Sequence, residues 1–312
     1  MRLFRNPNYK FINVRRVGYA ISATLIIISV ISLFMHGGPR YSVDFRGGTF
    51  MEIRFEDKQN PEKLLNIEIS QVRSVFNEFG LGTAEIKHYG SRQEIAARAD
   101  VTENTDQLFH DIVTKLSEEF PNYNVIEMRK ETVGPKVGKE LVLAAVLAIF
   151  WAIIFILIYI MWRFEFRFGI GAVIALIHDV IITLGIFSVL NIEMSIAIVA
   201  ALLTIVGYSL NDTIVVFDRI RENLKALKRQ AFDYATVVNR SVNETLSRTI
   251  VTSGTTLMVV LVLHFFGGEV IKDFAFALIC GIIVGTYSSI FVASPVLVEF
   301  ESRRLVKMKS GK

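Results

Sequence analysis

Several ionisable side chains occur inside segments that are otherwise apolar. Asp212, preceded by Asn211, follows the uncharged run 194–206, and a second carboxylate, Asp179, follows His178 in the middle of another apolar segment. A charged group at membrane depth is costly, and by default it indicates a functional site. The chemistry open to such a carboxylate is to hold and release a proton.

Helical spacing gives Asp212 polar neighbours. Tyr208 and Ser209 precede it by four and three residues, so one helix face would combine a phenol, a hydroxyl and a carboxylate. A later segment carries a second polar stripe at helical spacing, formed by Arg248, Thr252 and either Thr255 or Thr256. Such stripes cannot face lipid, so they are predicted to face each other or a wet cavity.

Apolar surroundings favour the protonated acid, whereas a nearby arginine favours the carboxylate. Movement of Arg248 could therefore switch Asp212 between holding and releasing a proton. Alternatives stay open at this point: Asp212 as a buried structural acceptor, Arg248 as a residue anchored at the head groups, and His178–Asp179 as a helix-packing pair.

The composition predicts a membrane protein. The chain has 312 residues, of which 52% are hydrophobic, more than is usual for a soluble domain. A spanning helix needs about 20 apolar residues, and six segments meet or approach this length: 17–35, 141–162, 168–190, 194–217, 249–266 and 274–298. The first is predicted to be an uncleaved anchor, and the single cysteine, Cys280, excludes a disulfide within the chain.

Lysine and arginine residues predict the orientation. They cluster before the first span, in the connections after the second and fourth spans, and at the C-terminus, so both termini are expected in the cytoplasm. The net charge of +4 follows from this topology and requires no nucleic-acid partner. The predicted organisation is a cytoplasmic N-terminus 1–16, a first transmembrane helix 17–36, an outer (periplasmic) domain 37–139, a five-helix region 140–300 with a cytoplasmic loop 218–247, and a cytoplasmic tail 301–312.

The outer segment has the pattern of a small α+β domain. Alternating strands and two amphipathic helices, the first over 61–80, follow in the order βαββαβ, which predicts a ferredoxin-like domain. The predicted fold is therefore an α-helical polytopic membrane protein with six transmembrane helices and one such domain between the first two. His88 and His110 stand alone, so no metal site is expected.

Small residues recur every four positions in the last span, at Ala277, Gly281, Gly285 and Ser289. This spacing favours close approach of a neighbouring helix.

Five longer motifs resemble one family. They are "YSVDFRGGT" (41–49), "VGPKVGKEL" (133–141), "GYSLNDTIVVFDRIREN" (207–223), "TLSRTIVTSGTTL" (245–257) and "GIIVGTYSSIFVASPVL" (281–297). Together, and in this order, they resemble the SecF family of the bacterial SecD–SecF translocation complex, within the resistance-nodulation-division superfamily. The similarity covers nearly the whole chain.

The resemblance implies a non-enzymatic subunit in the bacterial inner membrane. It would pair with SecD in a twelve-helix complex and use a proton gradient, or sodium in some organisms, to pull preproteins from the SecYEG channel after SecA has pushed them. YajC is a further candidate partner, and no cofactor beyond the transported ion is implied.

The resemblance also implies roles for individual residues. Asp212 would relay the proton and Arg248 would gate it, with Asn211 and Asp212 facing a carboxylate of the partner. His178 and Asp179 would be secondary members of the site. A turn after the first span would be formed by Asp44, Gly47 and Gly48.

Two other functions remain as alternatives. One is half of a proton-driven exporter of small molecules or lipids, against which the single compact outer domain argues. The other is a passive scaffold that conducts no ions.

Overall fold

A computed structural model describes residues 7–227 and 233–310 and separates the chain into two compact units, Tyr41–Ala145 and the remainder. In chain order the helices are α1 (Arg15–Met35), α2 (Val43–Arg46), α3 (Ile69–Glu78), α4 (Thr105–Glu119), α5 (Pro135–Arg163), α6 (Phe166–Val189), α7 (Ile196–Ala226), α8 (Tyr234–Phe266), α9 (Glu269–Ser288) and α10 (Ser294–Ser310). The strands are β1 (Gly48–Asp57), β2 (Glu85–Tyr89), β3 (Ser91–Ala99) and β4 (Tyr123–Val133).

Six helices of the described chain are long and apolar enough to cross a membrane, which confirms the predicted number of spans. They are α1, α5, α6, α7, α8 and the continuous rod formed by α9 and α10. A π-helical turn, Ser289–Ala293, joins the last two. The apolar core between α6, α7 and the start of α10 includes the buried side chains of Phe168, Phe217 and Leu297.

Helix covers most of the segment 218–247, for which the sequence predicted a cytoplasmic loop. α7 continues to Ala226 and α8 begins at Tyr234, capped by Asp233, whose carboxylate accepts the N–H of Thr236 at 3.0 Å. The sequence prediction ended each span with its apolar run, whereas the helices continue further; the cytoplasmic location of the segment stays a prediction. Polar contacts extend both helices beyond that run: Glu244 of α8 accepts hydrogen bonds from Arg219 and Asn223 of α7 at 2.6 and 2.8 Å.

The unit Tyr41–Ala145 confirms the ferredoxin-like prediction. Its sheet is antiparallel throughout, with strand order β2-β3-β1-β4, and the chain order is βαββαβ. The side chains of Phe55, Phe76 and Phe109 are fully buried between the sheet and the two helices α3 and α4.

Helix α3 is shorter than the predicted 61–80. It begins at Ile69, and the preceding residue Glu68 is extended. The backbone N–H of Ile67 bonds to the carbonyl of Arg92 at 3.3 Å, so this stretch pairs with β3 rather than continuing the helix. Leu64, which precedes the helix, is 84% exposed.

Two glycines make the connection into β1. Gly47 and Gly48 have φ angles of +84° and +107°, a region that glycine enters without strain. A β-carbon on Gly48 would lie 2.7 Å from the carbonyl oxygen of Ala99, so the strand β3 leaves no room for a side chain. Asp44, the third residue of the predicted turn, lies in α2 and donates its backbone N–H to Ser42 Oγ.

We expect Gly48→Ala to destabilise the outer unit by more than Gly80→Ala. Both residues have positive φ, so each substitution carries a backbone strain of roughly 1–2 kcal/mol. Gly80 has nothing within 4 Å of the added carbon, whereas Gly48 adds the clash with Ala99. Pulse proteolysis of the membrane-embedded chain across a urea series measures both, and equal losses would contradict the steric argument.

Candidate functional site

Asp179 is the centre of a buried polar network. It is 1% exposed, and its Oδ2 accepts hydrogen bonds from Ser209 Oγ of α7 at 2.5 Å and from Ser288 Oγ of α9 at 2.9 Å. Its Oδ1 lies 2.8 Å from Nδ1 of His178. One carboxylate of α6 therefore binds groups from two neighbouring helices.

The network continues from His178 to α1. The Nε2 atom of His178 lies 3.0 Å from Ser22 Oγ of α1. Ser22 Oγ in turn lies 3.2 Å from the hydroxyl of Tyr287 of α9. The Tyr287 hydroxyl donates to the carbonyl of Gly18 at 2.7 Å, and its ring stacks on the imidazole. An unbroken chain of polar contacts thus crosses α6, α1 and α9.

Asp212 belongs to a second buried network. It is 3% exposed, and its Oδ2 accepts a hydrogen bond from Ser253 Oγ of α8 at 2.9 Å. Thr286 of α9 in turn donates to Ser253 at 2.8 Å. Helices α7 and α9 contribute to both networks, because Ser209 precedes Asp212 by three residues and Thr286 precedes Ser288 by two.

The hydroxyl groups predicted to surround Asp212 bind elsewhere. Ser209 donates to Asp179, and the Tyr208 hydroxyl donates to the carbonyl of Thr252 at 3.2 Å. Helical spacing had placed these side chains on a common face, but it could not assign that face to a neighbouring helix.

The α8 side chains that contact α7 also differ from the predicted polar stripe of Arg248, Thr252 and Thr255 or Thr256. Ser253 makes the contact, whereas Arg248 and Thr255 are exposed, and Thr255 donates to carbonyls of its own helix. Ser253 was missed by the sequence reasoning. The signal available for it was its spacing of four from Thr249, which is also buried.

Arg248 and Asn211 are exposed on the surface of the helical bundle. The positive charge of Arg248 acts electrostatically on Asp212, but within residues 7–227 and 233–310 Arg248 forms no ion pair. Asn211 is exposed although Asp212 beside it is buried, because successive residues of a helix point about 100° apart.

The small residues of α9 allow the close packing that both networks require. A β-carbon on Gly281 would lie 2.2 Å from Ile205, and one on Gly285 would lie 2.9 Å from Cβ of Ser209. Ala277 and Ser289 of the same stripe are fully buried. The glycines therefore bring the backbone of α9 against α7, beside Asp179.

The π-helical turn lies directly after Ser288. Pro295 follows it and lacks the N–H that would bond to the carbonyl of Phe291 in a regular helix. Ser294 Oγ donates instead to the carbonyl of Ser289, five residues back, at 2.7 Å. Turns of this kind occur frequently at functional sites, and this one gives α9 a place to bend beside the Asp179 network.

A cavity of about 820 Å³ opens elsewhere, at the ends of α5, α6 and α7. Its charged lining residues include Arg163, Arg167, Arg221 and Lys225. It includes neither Asp179 nor Asp212, so it is separate from the carboxylate networks.

Six membrane-length helices with two carboxylates buried among hydroxyl groups define a polytopic membrane protein of the transport class. The family "Protein export membrane protein SecD/SecF, C-terminal" matches residues 112–303. The protein translocase subunit SecF of Desulfurispirillum indicum is 47% identical over 94% of this chain and 92% of its own. That of Rhodothermus marinus is 44% identical over 99% of this chain and 98% of its own. The chain belongs to the SecD/SecF family of protein export membrane proteins.

Two solved structures share the fold. The crystal structure of SecDF, a translocon-associated membrane protein from Thermus thermophilus, superposes with a TM-score of 0.82 at 39% identity over 95% of this chain. SecDF in a super-membrane-facing form gives a TM-score of 0.72 at 38% identity over 99% of this chain. This chain spans 39% and 41% of those longer SecDF chains. The family resemblance and the fold are thereby confirmed, and protein export is favoured over the export of small molecules or lipids.

Gly281→Ala should destabilise the bundle by about 1–3 kcal/mol, because Ile205 is buried and cannot move away from the added methyl group. Gly207→Ala on the facing helix is the matched control, since nothing lies within 4 Å of its added carbon. It should be neutral or slightly stabilising. Thermal unfolding of the purified protein in detergent measures both, and an unchanged midpoint for Gly281→Ala would show that α7 and α9 do not pack this closely.

Proposed function

We propose that this chain is the SecF-type subunit of a membrane complex that uses a proton gradient to assist protein export, and that Asp212 carries the proton. The observation that carries this proposal is the environment of Asp212. It is buried at membrane depth, a serine hydroxyl is its hydrogen-bond donor, and the cation Arg248 acts on it without neutralising it in a direct ion pair. A carboxylate with strong fixed partners could not exchange a proton so readily.

Proton binding would change the contact between α7 and α8. The ionised carboxylate attracts Arg248 and accepts the hydrogen bond of Ser253, both of which belong to α8. Protonation removes the charge and so weakens both interactions, which lets α8 shift against α7. Each proton that crosses the membrane supplies about 2.3 kcal/mol per 100 mV, enough to bias a movement that exchanges one or two such contacts.

The open faces of the bundle support pairing with a second subunit of the SecD type. On α7, the residues Ala200, Thr204, Gly207 and Asn211 form an exposed stripe at helical spacing. Small residues at such spacing favour close helix contact in a membrane. No residue of α5 between 139 and 159 is buried, so lipid or a partner must cover this part of the helix. Association with SecD also agrees with the SecDF chains that this protein resembles.

The proposed orientation places the chain across the bacterial inner membrane. Both termini lie in the cytoplasm of a bacterial cell, the ferredoxin-like unit lies on the outer face of the inner membrane, and the subunit acts on preproteins that SecA drives through SecYEG. YajC is a further partner. The proposed coupling ion is H⁺, and Na⁺ is the alternative.

Asp212→Asn should abolish the stimulation of export by the proton gradient, because an amide cannot exchange a proton. Arg248→Ala should reduce this stimulation strongly, and Arg248→Lys should restore part of it because the charge is kept. Asp218→Asn is the matched control: it lies on the same helix but pairs with Arg163 at the surface, at 3.2 Å. The measurement is gradient-dependent completion of preprotein translocation in proteoliposomes that contain the SecYEG and SecD components.

If Asp212→Asn, inserted and bound to its partner, supports full gradient-dependent export, Asp212 does not relay the proton; intact export of this variant is what the passive-scaffold function predicts.

Gly207→Leu should weaken association with the SecD-type partner at least tenfold, because a leucine in the exposed stripe separates the two helices. Ala20→Leu, an equally large change at an exposed position of α1, should leave association unchanged. Copurification from co-expressing cells, quantified at equal expression, measures both. Equal retention of the partner by the two variants would place the interface on another face.

A further inference from the structure

The cavity at the ends of α5, α6 and α7 lies where the apolar parts of these helices end. The apolar run of α5 ends at Trp162, and Arg163 lines the cavity directly after it. On α7, Arg221 follows by four positions Phe217, where the predicted fourth span ends. Trp162 is 86% exposed, and tryptophan side chains are enriched at the boundary between lipid and water. The cavity therefore lies at the depth of the phospholipid head groups.

The lining of the cavity combines an apolar floor with basic side chains. The floor includes Phe164, Phe168 and Val298, which are buried and belong to the apolar core of the bundle. The four basic lining residues are Arg163, Arg167, Arg221 and Lys225. A volume of about 820 Å³ lies within the range of small-molecule binding sites. The lining thus suits a molecule that carries both an anionic group and an apolar part.

Two of the four cations are neutralised within the protein. Arg167 pairs with both Glu165 and Glu301, and Arg163 pairs with Asp218 at 3.2 Å. Glu165 and Glu301 also line the cavity. These ion pairs therefore occupy two lining cations and two lining carboxylates.

The third carboxylate of the described lining, Asp233, is also occupied. Its Oδ2 accepts hydrogen bonds from the backbone N–H and the hydroxyl of Thr236 at 3.0 and 2.7 Å, and so caps the start of α8. An ammonium group in the cavity would have to compete with the existing partners of these carboxylates, whereas an anion would not.

Arg221 and Lys225 form no ion pair within residues 7–227 and 233–310. Nη1 of Arg221 donates to the carbonyl of Arg163 at 2.9 Å, and its guanidinium carbon lies 5.6 Å from the centroid of the Phe164 ring. These contacts hold the guanidinium in place and take one of its five N–H groups. Lys225 follows Arg221 by four positions and so shares its face of α7. Two cations that are not neutralised in the described chain therefore line one cavity.

We propose that this cavity binds the head group of an anionic phospholipid, whose phosphate contacts Arg221 and Lys225. Arginine and lysine form charge-assisted hydrogen bonds with phosphate, and basic pockets between transmembrane helices bind anionic head groups at the cytoplasmic surface. A soluble phosphate compound would share the charge. The position at the membrane boundary and the apolar floor favour the lipid, which carries an apolar part as well.

Native mass spectrometry of the full chain with its SecD-type partner, purified in detergent, tests this site. The complex is titrated with phosphatidylglycerol and with phosphatidylethanolamine of the same acyl chains. We expect tighter binding of phosphatidylglycerol. The double variant Arg221→Gln/Lys225→Gln should lower its affinity roughly tenfold or more, because each basic residue at a membrane surface adds a several-fold attraction for anionic lipid. Equal affinity of the unmodified complex for the two lipids would overturn the proposal.

The chain offers a matched control for the loss of charge. Lys10 and Arg16 are exposed cations outside the cavity lining, before and at the start of α1. Lys10→Gln/Arg16→Gln removes the same charge and should leave the affinity for phosphatidylglycerol unchanged. An equal loss in both double variants would show a general effect of charge and would also overturn the proposal.

A single variant guards against misfolding, since Arg221 also contacts the end of α5. The Lys225 side chain makes no hydrogen bond or ion pair in the described chain, so Lys225→Gln should fold normally and still weaken phosphatidylglycerol binding. Unchanged binding by this variant would contradict the proposed phosphate contact.

Inorganic phosphate and glycerol 3-phosphate distinguish a lipid from a soluble ligand. Neither should displace phosphatidylglycerol at matched concentrations, because neither has an apolar part. Displacement at matched concentrations would assign the cavity to a soluble phosphate compound and overturn the lipid site. The binding does not depend on the proposed proton-driven function, and full export by Asp212→Asn would leave these measurements unaffected.

Discussion

The structure depends on the burial of two carboxylates within an apolar helical bundle. A charged or polar group removed from water is tolerated when hydrogen-bond donors replace the water. In this protein those donors are serine hydroxyls from neighbouring helices: Ser209 and Ser288 for Asp179, and Ser253 for Asp212. Because a serine side chain is short, the helices must approach closely, and this requirement explains the glycines of α9.

The same constraint links packing to movement. Hydroxyl donors stabilise a carboxylate less firmly than an arginine would, which suits the proton exchange proposed for Asp212. Each network spans helices that share no covalent connection near the site, so such an exchange would change a contact between helices. Gly285 of α9 packs against Ser209 of α7, and the π-helical turn begins four residues later. A position of close packing between α9 and α7 thus lies beside the π-helical turn.

The open faces of the bundle agree with the proposed pairing with a second subunit. A single chain buries Asp179 completely but leaves Arg248 and Asn211 exposed on α8 and α7. Polar groups at that depth are stable against protein or water rather than against lipid. The Asp179 network is thus internal to the chain, whereas Arg248 and Asn211 lie at the surface where the proposed partner would pack.

Hydropathy and residue period alone determined the six spans, the βαββαβ order of the outer unit and the two buried carboxylates, because these are local properties of the chain. Local patterns could not reveal that Ile67 pairs with β3, which shortens the first helix of that unit, or that Glu244 holds α7 and α8 together beyond their apolar runs. Nor could they assign Ser209 to Asp179 instead of Asp212. Helical spacing determines which residues share a face, but which helix meets that face depends on contacts between residues far apart in the chain, and only the tertiary structure decided those.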